Sequence, residues 1–127
     1  MNDRTIFIVD EVVLKAGAAR DFVAAYLDEY APSAQRRGLT LDRVIVTPPI
    51  WLDDDSNTVT ATWSVPGTRA WWQTMIVARH DPSPSQWWAD MAPLIVERSR
   101  SMAADVGDVD GLCMAEGLDV VEGLDDV

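Results

Sequence analysis

A single histidine, His80, and one carboxylate set among apolar strand residues, Asp10, are the side chains best suited to move protons. Histidine titrates near neutral pH and serves as general acid or base when a substrate comes within hydrogen-bond reach. Trp72 and Ile76 precede His80 at intervals of four, so the three share one helix face. A capping or surface role ahead of Asp81 is the plainer alternative for this histidine. Asp10 alternates with Ile6, Ile8 and Val12, on a face where an unpaired carboxylate is costly to bury. A strand end or a bulge would relieve that cost. In an apolar cleft the same group could instead exchange protons with a substrate.

The six tryptophans supply walls for such a cleft: Trp51, Trp63, the pair Trp71-Trp72 and the pair Trp87-Trp88. Adjacent helical residues point ~100° apart, so one member of each pair packs inward and the other lines a pocket or meets a partner. Core and interface account for most of them. Trp63, Trp71, Trp72 and Trp87, with the hydroxyl-bearing Tyr26, are the candidates for binding a flat, apolar or aromatic small molecule. Other chemistries lack their signatures. The chain has no Gly-rich phosphate loop, no nucleophile elbow and no residues at metal-ligand spacing, and the run Asp53-Asp54-Asp55 reads as a solvated turn. One cysteine, Cys113, excludes an internal disulfide and a cysteine-based zinc site.

The elements that must position these groups follow from pattern. Thr5 to Val13 is a β-branched strand apolar on both faces, and such strands are covered on both sides. A turn at Lys15-Ala16-Gly17 leads to a helix over 18–37, interrupted or bent at Pro32 and capped by Gly38. A strand over 39–46, a polar turn at 53–57 and a strand over 58–65 follow, the last with Val59, Ala61, Trp63 and Val65 alternating. Thr68 caps a helix over 69–79, and a second helix over 86–96 kinks at Pro93. A strand over 98–106 completes β-α-β-β-α-β, the α+β order of a ferredoxin-like antiparallel sheet. Helices on one face leave the other bare, and a symmetric copy of the chain is the simplest cover, so a homodimer is expected.

Length and charge set the outer bounds. At 127 residues and 48 % hydrophobic the chain suits one domain with a modest core. No stretch is long and apolar enough to span a membrane, and no secretory signal is read, so a cytoplasmic location is the expectation. The net charge of −11 argues against nucleic acid and anionic membrane as partners. It is unevenly spread: residues 1–104 carry ten basic and thirteen acidic groups, whereas 105–127 carry eight acidic and no basic ones. Asp110-Gly111-Leu112, Glu116-Gly117-Leu118 and Glu122-Gly123-Leu124 recur every six residues in that tail. Glycines at this spacing disfavour a helix, and an extended arm would put its leucines on one face. The division is therefore a body over 1–106 and an acidic tail over 107–127, a solvated extension or a docking arm for a protein partner.

The body resembles the dimeric α/β-barrel superfamily, and within it the NIPSNAP-like branch. The likeness rests on Lys15-Ala16-Gly17 with Arg20-Asp21-Phe22, Trp63 in the third strand, Ala70-Trp71-Trp72, His80-Asp81-Pro82 through Gln86-Trp87, and Ala92-Pro93-Leu94. The resemblance implies paired four-stranded sheets with a ligand cleft in each subunit between sheet and helices. It also implies a functional histidine after the second main helix, where His80 stands. In the heme-degrading branch a tryptophan nine residues earlier accompanies that histidine, as Trp71 does here, but an asparagine takes the place of Asp10.

Three functions follow as expectations. The first is a cofactor-free enzyme doing proton-transfer chemistry, as isomerase, cyclase or lyase, on a hydrophobic cyclic or aromatic small molecule, with His80 and Asp10 catalytic. The second is a heme-binding or cofactor-independent monooxygenase. The third is a non-enzymatic binding or assembly protein acting through the acidic tail.

Overall fold

Strand β1 (Thr5–Leu14) sets the architecture, because its side chains alternate between two very different surroundings. Ile6, Ile8, Asp10, Val12 and Leu14 are buried, whereas Phe7, Val9 and Val13 are half-buried and Glu11 is exposed. In this computed structural model, which describes residues 4–113, β1 lies inside a four-stranded antiparallel sheet of order β2-β3-β1-β4. The outer strands are β2 (Thr40–Thr47) and β4 (Ile95–Ala104), and β3 (Thr58–Pro66) pairs with both β1 and β2. This is the ferredoxin-like order that the element pattern implied.

Register places the inner face of the sheet. Ile8 is opposite Trp63 and Met102, and Asp10 is opposite Ala61 and Arg100. Val59, Ala61, Trp63 and Val65 complete the floor and are each at most 2 % exposed. On β2 the register shifts between Leu41 and Arg43, and Asp42 is the extra residue. Leu41 and Val44 therefore share the inner face despite an odd spacing.

The helices cover that floor. A single helical stretch follows β1: α1 (Ala19–Ala25), a π-helical turn (Tyr26–Tyr30) and α2 (Ala31–Arg36). The Ala31 N–H reaches the Tyr26 carbonyl, five residues back. Pro32, which lacks an N–H and crowds the carbonyl four residues before it, widens the helix here. The interruption expected at Pro32 is thus a π turn just before it. Gly38 takes φ 104°, and the N–H groups of Gly38 and Leu39 bond the carbonyls of Gln35 and Ala34. That pairing closes the helix as a Schellman motif, as the position of Gly38 implied.

The second helical layer is α3 (Gly67–Arg79) and α4 (Ser83–Met91). Here two expectations need correction. Pro93 ends the helix instead of kinking it: Ala92–Leu94 is a 3-10 turn, and Ile95 and Val96 open β4. The last strand consequently starts three residues earlier than its pattern implied. Asn57, the last residue of the polar turn read over 53–57, is not a surface group but 1 % exposed. Its amide donates to the Ile50 carbonyl at 2.9 Å and accepts from the Leu52 N–H at 3.1 Å, fixing the loop between β2 and β3.

After β4 comes a short helix, α5 (Val109–Leu112), with Leu112 packed against the core. The first Gly-Leu repeat is therefore helical, not extended. Gly111 lies close against the Arg4 side chain, an approach that a Cβ would obstruct. The second and third repeats lie outside the described residues. Among the described residues no helix is long and apolar enough to cross a membrane.

Candidate functional site

The alternation of β1 puts Asp10 in the middle of the sheet, facing the helices, at 1 % exposure. Neither a strand end nor a bulge relieves it. Its partner comes instead from the neighbouring strand: Arg100 Nε donates to Oδ1 at 2.6 Å and Nη2 to Oδ2 at 3.0 Å. The guanidinium thus grips the carboxylate in a bidentate fork. The π turn brings a third donor, because Tyr26 Oη–H donates to Oδ2 at 2.8 Å. Trp63, on β3, in turn donates from Nε1 to the Tyr26 oxygen at 2.7 Å. Asp10 is an anchor whose acceptor positions are taken up by its neighbours.

Two pKa directions follow from this packing. Burial, reinforced by the adjacent Asp10 carboxylate, pushes the Tyr26 hydroxyl far above its ordinary value of 10.0. For Arg100 burial opposes the charge, but the hydrogen bond and charge of Asp10 outweigh it and hold the guanidinium above the usual arginine range. The Arg100 side chain is 40 % exposed while that of Asp10 is 2 %, so the carboxylate is sealed and the arginine keeps contact with solvent along part of its length.

Tyr30, one π turn after Tyr26, carries the network outward. Its hydroxyl oxygen accepts from Arg100 Nη2 at 2.7 Å, and Arg37 Nη2 lies 3.5 Å away. Arg37 also donates to Ser33 Oγ at 2.7 Å. Around these groups six aromatic rings converge. Phe22, Tyr26 and Tyr30 from the first helical stretch meet Trp87 and Trp88 of α4 at centroid distances of 5.0–6.2 Å within the cluster. Trp63 closes against Tyr26 and Tyr30 from the sheet. Trp87 is tied by its Nε1–H to Glu29 Oε1 at 2.9 Å. A cavity of about 180 Å³ opens beside it, lined by Glu29, Tyr30, Ser33, Arg36, Ser83 and Trp87.

The structure brings together three of the five side chains chosen from sequence as ligand walls: Trp63, Tyr26 and Trp87. The tryptophan pairs divide as helix geometry requires, with Trp71 2 % exposed beside Trp72 at 39 %, and Trp88 buried beside a half-buried Trp87. Trp71 and Trp72 stack edge-on against each other, apart from the rings around Tyr26. His80 ends α3 as an exposed residue. Among the described residues no hydrogen bond joins it to Asp10, whose partners are Tyr26 and Arg100. Trp71 and His80, which the resemblance would give to heme, are respectively core-packed and exposed at the helix end; neither bonds to the Asp10 network. Beyond His80, Asp81 accepts from the Ser83 N–H and hydroxyl, and these bonds hold its carboxyl below the ordinary value.

Sequence reasoning missed Arg100, Arg98, Arg37 and Trp88. A signal for the first two existed. Arg98 and Arg100 are two apart in a strand, and an inward carboxylate on β1 demands a cation on the strand beside it. A second cavity, about 450 Å³, lies at the far end of β2 and is walled by Ile45, Val46, Pro49, Ile50 and Trp51.

No family model matches the sequence, and no curated protein is significantly similar to it. Solved structures do match. A NIPSNAP-like domain protein from Burkholderia xenovorans superposes with a TM-score of 0.61 at 16 % identity, over 83 % of this chain and 88 % of that one. A nipsnap family protein with unknown function from Agrobacterium tumefaciens gives 0.63 at 11 % identity, over 83 % and 91 %. A second Agrobacterium NIPSNAP family protein gives 0.62 at 14 %, over 84 % and 90 %. At such identities the likeness is one of fold alone: this chain has a ferredoxin-like fold similar to that of these NIPSNAP-like proteins.

Proposed function

We propose that this chain is a small-molecule enzyme that, without a cofactor, moves a proton on a hydrophobic cyclic or aromatic substrate lodged between sheet and helices. The observation that carries the reading is the convergence of six aromatic rings on one ion pair, Asp10–Arg100, whose carboxylate is sealed while the arginine side chain stays partly exposed. Aromatic walls take a flat apolar body, and a few converging polar groups orient it. Arg100 and the Tyr30 hydroxyl are donors suited to the negative charge that develops when a carbon acid loses its proton. Asp10 serves as a positioning residue, holding Arg100 in place. His80, exposed three residues before the cavity-lining Ser83, is the general acid or base of the proposal. A homodimer belongs to the same reading, since Phe7, Val9 and Val13 face away from the helices and stay half-buried.

Solvent-deuterium exchange tests the proposal. The protein is incubated in D2O with a panel of aryl ketones, cyclic ketones and unsaturated lactones, and loss of the α-proton is followed by NMR. Faster exchange for one class, lost in His80→Ala, is the expected result. No acceleration for any compound that binds would overturn the enzymatic reading in favour of a binding protein.

A further inference from the structure

The guanidinium groups around Tyr30 outnumber the carboxylates that could neutralise them. Arg98 and Arg100 both project from the helix-facing side of β4, opposite Val12 and Asp10 respectively. Same-face neighbours on a strand stand about 7 Å apart. Arg37 reaches Tyr30 from the helical side and is only 7 % exposed. Two of these cations, Arg37 and Arg100, contact the Tyr30 hydroxyl, and the buried carboxylate beside them is Asp10. Asp10 is already bound by Arg100 and Tyr26. Glu29, on the helical wall, is exposed and bonded to Trp87, and Asp81 feels the charges of Arg37 and Arg36 without an ion pair to either among the described residues.

Among the described residues the ion pairs are Asp42–Arg43 and Asp10–Arg100, so Arg98 and Arg37 have none. The Arg37 Nε–H is buried without any hydrogen-bond acceptor among those residues. Arg98 is held by an aromatic face instead of an acid: its guanidinium carbon is 4.1 Å from the centre of the Trp88 ring. Stacking of this kind fixes the plane while leaving the N–H edge free to donate. Burial and the adjacent Arg100 also hold Arg98 below the ordinary arginine value, as expected of a cation lacking its counter-charge. In a chain with 21 acidic residues and 10 basic ones, arginines left without acids in one cleft are a local reversal of charge.

We infer that the aromatic site beside β4 selects ligands bearing a carboxylate on an aromatic or cyclic body, and that Arg98, stacked on Trp88, is the group that meets that carboxylate. The inference rests on the reading of this cleft as a ligand site and adds the substrate class. Arg100 supports it by keeping the field positive, and the half-buried Trp87, which walls the adjacent cavity, offers the apolar face against which the ring of the ligand lies.

Calorimetric titration of the full chain with 2-naphthoate and its uncharged analogue 2-naphthamide tests it. Naphthoate is expected to bind about tenfold more tightly than the amide, the scale of one charge-assisted hydrogen bond. Arg98→Gln should erase the difference while leaving amide affinity and melting temperature in place, and Arg98→Lys should restore part of it. Equal affinities in the wild type, with both compounds bound, would overturn the carboxylate selectivity and leave the ligand cleft standing. A preference that survives Arg98→Gln would overturn the assignment to Arg98. Binding of neither compound would overturn the cleft itself and this inference with it.

Discussion

Asp10 and Arg100 stand directly opposite each other on β1 and β4, and a 2.6 Å bond from Nε to Oδ1 joins them across the sheet. One partner is sealed under the helices while the other keeps 40 % of its side chain in solvent. Such a pair costs desolvation chiefly on the carboxylate side, and it pins the register of an edge strand.

Arg100→Met should therefore destabilise the protein by about 2–3 kcal/mol. That is the lower range for stranding a buried charge, because Arg100 is itself partly solvated. The double variant Asp10→Asn with Arg100→Met should lose less than the two single changes summed, with a coupling of about 1 kcal/mol or more. Urea denaturation of the four proteins measures it. Strict additivity would show that the pair is incidental.

Tyr26 gives stability a dependence on alkaline pH whose sign is fixed by its surroundings. Its folded-state pKa lies above the ordinary 10.0, so above pH 10 the unfolded chain has released the proton that the folded chain retains. The stabilisation is complete below pH 10 and declines as pH rises beyond it. Replacing Tyr26 by Phe should flatten that decline by about one proton per molecule, read from denaturation midpoints between pH 8 and 11. Absorbance at 295 nm should show Tyr26 ionising only on unfolding, as the difference between the wild type and Tyr26→Phe.

Periodicity made the sheet order legible, because β1 and β3 alternate strictly and Gly38 and Pro32 mark the helix plainly. It failed where an extra residue breaks the alternation. Asp42 on β2 is one such place, and the start of β4 behind Pro93 is the other. That second slip hid the site. Once the last strand is read from residue 98, Arg100 has no defined neighbour, and Asp10 is left an unexplained carboxylate. Tyr26, Trp63 and Trp87 were readable as aromatics that pack together, since large rings at inward positions meet between sheet and helices. Arg37 was not readable, because an arginine's role depends on what it faces, and that is a tertiary property.

Two glycines with positive φ should differ in what they tolerate. At Gly17 an added Cβ would sit 2.8 Å from the Asp53 carbonyl oxygen, a backbone atom that cannot step aside. At Gly38 the Cβ would meet only the Thr74 hydroxyl, at 3.2 Å. Both substitutions to Ala incur left-handed strain of about 1 kcal/mol, but Gly17→Ala adds a clash. Thermal melts should rank Gly17→Ala clearly below Gly38→Ala, and the reverse order would mean that the turn at 15–17 can shift away from Asp53.

The outer face of the sheet offers a sharper test of assembly. Val9 lies at its centre, opposite Thr62 on β3 and Ser101 on β4. In a monomer a glutamate at this position would remain in water and cost little. In a homodimer built on this face it would bury two like charges against each other, which costs several kcal/mol. Val9→Glu should therefore halve the mass seen by sedimentation velocity at micromolar concentration without altering the circular dichroism spectrum. A wild-type chain that sediments as a monomer at every concentration would sink the dimer. A dimer that tolerates Val9→Glu would move the interface elsewhere, with the apolar pocket at Ile45, Ile50 and Trp51 the next surface to probe.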